Sequence, residues 1–270
     1  MMHLIMQPDM VYRYPIWTVA ILMVGLSILG TVLLELMVRR FLSARTRREH
    51  NDATAAAFSV VGVTFAVLLA FVAMAAWENF NKAKAASYTE AALVLDVGEV
   101  LIGLDDPRGT VMQADLIGYL ETVIAVEWPA QAKGQVVDGA SAYLDALNRK
   151  ALLFRPSSPA EINIHALLLQ SLTRLRDARE DRMLAAQTTV PAIVWIVTVI
   201  GGGLTIAFSS FLGVGKLGLH LAMSCTLAVS GMLVLIMILA LSNPFRGDLR
   251  VSMQPFEQVL ERVHALKALH

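Results

Sequence analysis

The stretch FSVVGVTFAVLLAFVAMAAWENFNKAKAASYTEAALV, residues 58–94, decides the architecture. It opens as a membrane span. Residues 53–77 carry no charge, and that run exceeds the ~20 apolar residues needed to cross a hydrocarbon core. Trp77 and Glu78 then mark where such a span should meet water, yet nothing there stops a helix. From Val63 to Val97 the chain has neither Gly nor Pro and is rich in Ala, the best helix former. One helix is therefore expected from Thr54, with Asn51 and Asp52 supplying N-cap chemistry, through the membrane and on to Leu101. At 1.5 Å per residue its extension beyond Trp77 would project about 36 Å.

Three further uncharged runs, residues 14–34, 183–215 and 217–245, are also long enough to span. The expectation is an all-α membrane protein with four transmembrane helices: 16–38, 54–77, 190–212 and 221–242. The extensions of the second and third spans build a helical extramembrane domain at 78–187. Around these lie an N-terminal tail (1–15), an Arg-rich loop (39–52), a short loop (213–220) and a C-terminal tail (243–270) with an amphipathic helix. Only 16% of residues are charged, against about 25% in a soluble domain, which agrees with this partition. The first run is too long for a cleavable signal peptide, and its charge follows it.

The loop RRFLSARTRREHND holds Arg39, Arg40, Arg45, Arg47 and Arg48. Short Arg-rich loops stay in the cytoplasm. That places the N-terminus, residues 78–185 and the C-terminal tail outside, in a multi-pass protein of the bacterial inner (plasma) membrane. Trp77 and Trp195 fit the aromatic belt at the membrane interface. Glu35 and Arg39, spaced i, i+4, read as a helix-end pair.

Within the extramembrane domain, GLDDPRG (103–109) ends the long helix at Gly103 and starts another at Asp106-Pro107. Met112, Leu116, Leu120 and Ile124 form one stripe. EWPAQAKGQ reads as a turn, and DGASAYLDALNRKALLF as a short helix. Ser158, Pro159 and Glu161 fit a capping box, opening a helix that runs into the third span, with a kink at Pro191. In the tail, Phe256, Val259, Leu260, Val263, Leu266 and Leu269 share one face.

Chemistry is sparse. GVGKLG (213–218) joins two spans and lacks the strand a dinucleotide fingerprint requires. Asp105-Asp106, followed by Pro107, reads as a helix start rather than as two calcium ligands. The six histidines stand at no metal-ligand spacing, and no catalytic triad can be placed. No enzyme, no cofactor and no metal are expected, and a net charge of zero excludes a nucleic-acid binder. A single cysteine, Cys225, allows no internal disulfide. One constellation stands out. Asn79, Ala83, Ala86 and Glu90 make a stripe on the long helix, about 20 Å above the interface at Glu90, while Arg179 lies at about 18 Å on the helix before Pro191. A structural polar pair of Glu90 with Arg179, or one turn lower with Arg182, is expected to fix register. Gly62, Ala66 and Ala70 mark a close-packing or pore-lining face of the second span.

The residues of 58–94, with RDAREDRMLAAQTTVPAIVW (176–195) and NPFRG (243–247), resemble the bestrophin-like domain family of bacterial and plant membrane proteins. Trp77, Glu90, Ala91, Arg179, Arg182, Pro191, Trp195, Pro244, Phe245 and Gly247 carry the resemblance, which extends over nearly the whole chain. It implies kinship to bestrophins, pentameric anion channels whose second helix lines the pore. Phe58 and Phe65, seven residues apart, would take the part of the apolar neck, with Phe71 elsewhere on the helix. Two departures stand: no acidic calcium clasp is visible, and bestrophins keep their extramembrane bulk in the cytosol. Two functions follow. One is a homo-oligomeric ion channel-like protein in the lipid bilayer, with the outer domain as vestibule. The other is a membrane-anchored scaffold or sensor whose helical domain binds a partner. A channel requires the faces of Phe58 and Phe65, or Gly62 and Ala66, to converge on a symmetry axis, whereas a scaffold packs them within one subunit.

Overall fold

The structure is a computed structural model describing residue 12, residues 14–104 and residues 107–267. Asp105, Asp106 and Leu269 lie outside the described residues. Ten α-helices and one π-helical turn occur among those described, with no strand. They are α1 (Ile16–Phe41), α2 (Ala44–Glu49), α3 (Asn51–Ile102), α4 (Pro107–Thr122), the π turn (Val123–Glu127), α5 (Trp128–Ala132), α6 (Ser141–Leu153), α7 (Pro159–Gln187), α8 (Ala192–Ser210), α9 (Leu217–Leu241) and α10 (Gln254–Lys267). Four of them, α1, α3, α8 and α9, are long and apolar enough to cross a membrane.

The chain divides into two compact units. The first holds residues up to Glu78 together with Thr189–Ser242, and the second holds Asn79–Thr188 and the segment from Asn243 onward. In the first unit α1 packs along α9, and α8 packs against both. Several boundaries differ from those expected. Helix α1 continues to Phe41, past Arg39 and Arg40, whose positive charges suit the carbonyl end of a helix. The Arg-rich loop contains α2, capped by Ser43 Oγ accepting from Thr46 N at 3.1 Å. Helix α3 begins at Asn51 itself. Helix α9 begins at Leu217, so half of the expected short loop is helical.

The third span is not a kinked continuation of the helix before it. Helix α7 ends at Gln187 and α8 starts after Pro191. Proline offers no N–H and pushes the residue before it out of the helical region, and Thr188 is already extended (φ −78°, ψ 119°).

In the second unit, Val94, Val97 and Leu101 of α3, Met112, Leu116 and Leu120 of α4, and Leu168, Leu172 and Leu175 of α7 form a buried core with α6 and α10. Ile124 is half-buried. Helix α10 buries Phe256, Val259 and Val263, while Leu260 and Leu266 are half-buried. The tail that follows Ser242 is thus part of this core, and Val263 packs over Gly98, where an added Cβ would stand 3.3 Å from its Cγ2. Helix α7 starts on Ser158 Oγ, which accepts from Glu161 N, while the Glu161 carboxylate reaches back to Ser157 N at 2.6 Å.

The segment EWPAQAKGQ is mostly helical, contrary to its reading as a turn. Pro129 would clash with the carbonyl four residues back in a regular helix. The wider π turn just before it absorbs that conflict. The chain reverses only at Lys133-Gly134, where Gly134 has φ +77°.

Candidate functional site

The second unit encloses a ring of charges contributed by α3, α4, the π turn and α7. Glu90, Glu127 and Arg182 are fully buried, and Arg179 nearly so. The Arg182 guanidinium donates to Glu90 twice, Nε to Oε2 at 2.6 Å and Nη2 to Oε1 at 3.1 Å, and Nη2 also donates to Glu127 Oε2 at 2.8 Å. Arg179 donates to both Glu127 oxygens, at 2.6 and 3.1 Å, and to Asp138 Oδ1 at 2.6 Å. Tyr119 joins the two halves: its hydroxyl donates to Glu90 and accepts from Arg179 Nη1 at 3.3 Å. Thus Glu90 meets Arg182 directly and Arg179 only through Tyr119. Ala140 N donates to Glu127 Oε1 at 2.8 Å, tying the start of α6 to the ring.

Two buried guanidiniums face two buried carboxylates, with the exposed Asp138 at the rim. Arg182 Nη1 has no hydrogen-bond partner among the described residues. Its guanidinium instead lies against the rings of Trp128 and Phe256, 5.8 and 5.7 Å from their centroids. Burial pushes the Glu127 carboxyl up, but the hydrogen bonds and charges of Arg179 and Arg182 outweigh it and hold it below the usual range. Burial, reinforced by the Glu90 charge, holds the Tyr119 phenol well above its ordinary value. Burial lowers both arginines, yet their carboxylate partners win, and both stay charged. The ring locks four segments in register, and little of its hydrogen-bonding capacity is left for a ligand.

A second cluster lies in the first unit. Glu35 is fully buried, and Arg39 Nε (2.6 Å), His220 Nδ1 (2.9 Å) and Arg47 Nη1 (3.5 Å) surround its Oε1. The i, i+4 pair with Arg39 is therefore one edge of a buried group built from α1, α2 and α9.

Between α1, α3, α8 and α9, all within the first unit, is a cavity of about 620 Å³. Phe58, Gly62, Phe65 and Ala66 line it. The Phe65 ring lies so close to α8 that a Cβ on Gly201 would stand 2.8 Å from it. The face expected to reach an oligomer axis thus packs within its own unit. Ala70 is exposed, and so is Trp77; Trp195 is half-buried. The opposite side of α3, at Val60, Val63, Val67, Phe71 and Met74, is exposed, Phe71 to 71%.

Residue spacing did not reveal Tyr119, Glu127 and Asp138 in the ring, or Arg47 and His220 around Glu35. A buried carboxylate in EWP next to a helix-breaking proline is the one cue that Glu127 offered.

Residues 25–256 match the Bestrophin-like domain. The chain belongs to the Bestrophin-like domain family. The Bestrophin-like region takes in both charge clusters and the cavity, from inside α1 to Phe256 in α10. Solved forms of a bacterial bestrophin homolog from Klebsiella pneumoniae share the fold. A tryptophan-to-alanine variant is 12% identical, with 94% of this chain and 99% of that one covered and a TM-score of 0.73. A tyrosine-to-alanine variant is 13% identical, with 92% and 98% covered and a TM-score of 0.70. The form phased with zinc is 13% identical, with 91% and 98% covered and a TM-score of 0.68. Among curated proteins none matches the chain. Membership of the Bestrophin-like family and four apolar helices of spanning length make this a membrane protein.

Proposed function

We propose that the protein is a homo-oligomeric, channel-like membrane protein in which α3 of each copy lines a path for ions, anions by the resemblance to bestrophins. The exposed side of α3 carries this reading. Val60, Val63, Val67, Phe71 and Met74 fall at helical spacing on one uncharged side. The residues between them, Ser59, Thr64 and Ala70, are small and also exposed. Small residues let membrane helices approach closely. Most exposed positions of α1 are instead large and apolar, such as Ile21, Leu22, Leu29 and Met37, with Gly25 and Gly30 among them, which suits lipid tails. The neck therefore moves from Phe58 and Phe65 to Val67 and Phe71.

The scaffold or sensor reading keeps one observation in its favour: the Phe58 and Phe65 face packs within a single unit. Ion flux through purified protein in liposomes, with oligomer mass measured in the same preparation, separates the two. A monodisperse monomer that passes neither anions nor cations would sink the channel.

For topology, the arginines of residues 39–52 support a bacterial inner membrane protein with its extramembrane helices on the periplasmic side. The arrangement of bestrophins predicts the reverse. Single cysteines at Ser43 and Ala132, in a Cys225→Ala background, decide it with an impermeant thiol reagent. Our placement requires position 132, and not 43, to label from outside.

A further inference from the structure

We infer that the cavity between α1, α3, α8 and α9 is a binding site for one acyl chain of a bilayer lipid. The inference stands apart from the channel reading. Its first support is the chemistry of the wall. Among the described residues no charged side chain lines the cavity. The five hydroxyls in the wall are already committed to their own helices: Ser27 to Val24 O at 2.9 Å, Thr31 to Ser27 O at 2.8 Å, Thr198 to Val194 O at 2.7 Å, Thr205 to Gly201 O at 2.8 Å and Ser230 to Thr226 O at 2.8 Å. Each has spent its only proton, so the wall offers an anion no donor. A polar guest needs several such partners; an alkyl chain needs none.

The second support is that the space is built. Gly30, Gly62 and Gly203 all line the cavity: Gly30 and Gly203 are exposed and border its open side, while Gly62 is half-buried and a Cβ added to it would meet nothing within 4 Å. By contrast, Gly201 and Gly202 hold the Phe65 ring close. Packed protein interiors leave few voids larger than a water, whose share of liquid volume is about 30 Å³. A cavity of about 620 Å³ is of ligand size.

The third support is depth, which chooses the occupant. The lining comes from the middle of every span: residues 26–34 of α1, 58–69 of α3, 198–206 of α8 and 227–235 of α9. At mid-span the surrounding medium is hydrocarbon. The tails of bilayer phospholipids are therefore present in bulk at the depth where the cavity lies, whatever their headgroups do at the interface.

The test uses the full chain in proteoliposomes containing phosphatidylethanolamine with a mid-chain diazirine on one acyl chain. After illumination, adducts are mapped by mass spectrometry. Adducts at Phe65, Leu69 and Val199 should exceed those at the outward-facing Leu29 and Leu233 at least fivefold. Gly62→Leu and Gly203→Leu, which fill the space, should lower the cavity adducts several-fold. Gly25→Leu, equally unhindered but outside the lining, should not. A diazirine palmitate probe that labels the cavity undiminished by excess phospholipid would assign the site to free fatty acid and overturn the proposal. Adducts spread evenly over Leu29, Leu233 and the cavity residues would also overturn it. The wild-type map decides by itself if a filled variant does not fold.

Discussion

Arg182 Nε donates to Glu90 Oε2 at 2.6 Å, and both side chains are wholly buried. Removing one member of such a pair leaves the other charged in a dry interior, at a cost of about 3–5 kcal/mol. Arg182→Met should therefore strongly lower thermal stability in detergent. A double variant, Glu90→Leu with Arg182→Met, should lose less than the sum of the two single changes. Additive losses would show that the two side chains are not coupled.

The ring also sets a pH dependence at both ends. The Glu127 carboxyl is held below the 4.5 of a free glutamate, so its stabilisation is complete above that pH and is lost as pH falls through the folded value. The Tyr119 phenol is held above 10.0, so its contribution is complete below that pH and is lost as pH rises further. Melting temperatures across pH 3–11 should fall at both extremes. Glu127→Gln should flatten the acid limb and Tyr119→Phe the alkaline one. Unchanged slopes would remove these two groups as the cause.

Two ion pairs of the same i, i+4 spacing should differ in what they contribute. Glu35 is buried and its partner Arg39 half-buried, whereas Glu49 and Arg45 are largely exposed. Glu49→Ala should change stability by less than about 1 kcal/mol. Glu35→Ala, which leaves Arg39 and Arg47 facing each other, should cost about 3–5 kcal/mol. Parallel unfolding curves of the two variants make the comparison.

Gly201→Ala places a methyl 2.8 Å from the Phe65 ring. Overpacking of this kind costs about 1–3 kcal/mol, and Phe65→Leu in the same chain should recover most of it. Gly203→Ala meets open space and should be close to neutral. Detergent-phase thermal shifts suffice; equal effects at positions 201 and 203 would contradict the packing described.

If α3 lines the path, charge placed at Val67 should steer selectivity. Val67→Lys should raise and Val67→Glu lower the anion-to-cation permeability ratio in liposome flux, and Phe71→Ala should raise total flux. The same charges at Leu29 of α1 should leave the ratio unchanged.

The spans were legible because a hydrocarbon core demands about 20 uncharged residues, and only four runs supply them. Uniform helical rise levelled Glu90 with Arg179 and put Arg182 one turn lower, yet it is Arg182 that meets Glu90 directly. Glu127 could not be placed in this way. It meets Arg179 and Arg182 across sequence separations of 52 and 55, and a π turn beside Pro129 sets its direction. The orientation of Phe65 was hidden for another reason. A span that is apolar all round lacks the polar-apolar contrast from which a packed face is read, and only the glycines of α8 reveal where the ring goes.

The stacking of Arg182 on Trp128 gives the molecule an optical handle. Trp128 is buried, whereas Trp17 and Trp77 are exposed and Trp195 is half-buried. Its indole lies 5.4 Å from the ring centroids of both Phe245 and Phe256 and 5.8 Å from a guanidinium carbon. Trp128 is thus the tryptophan that touches the charge ring, and a change at Arg182 should alter its share of the intrinsic emission without any label.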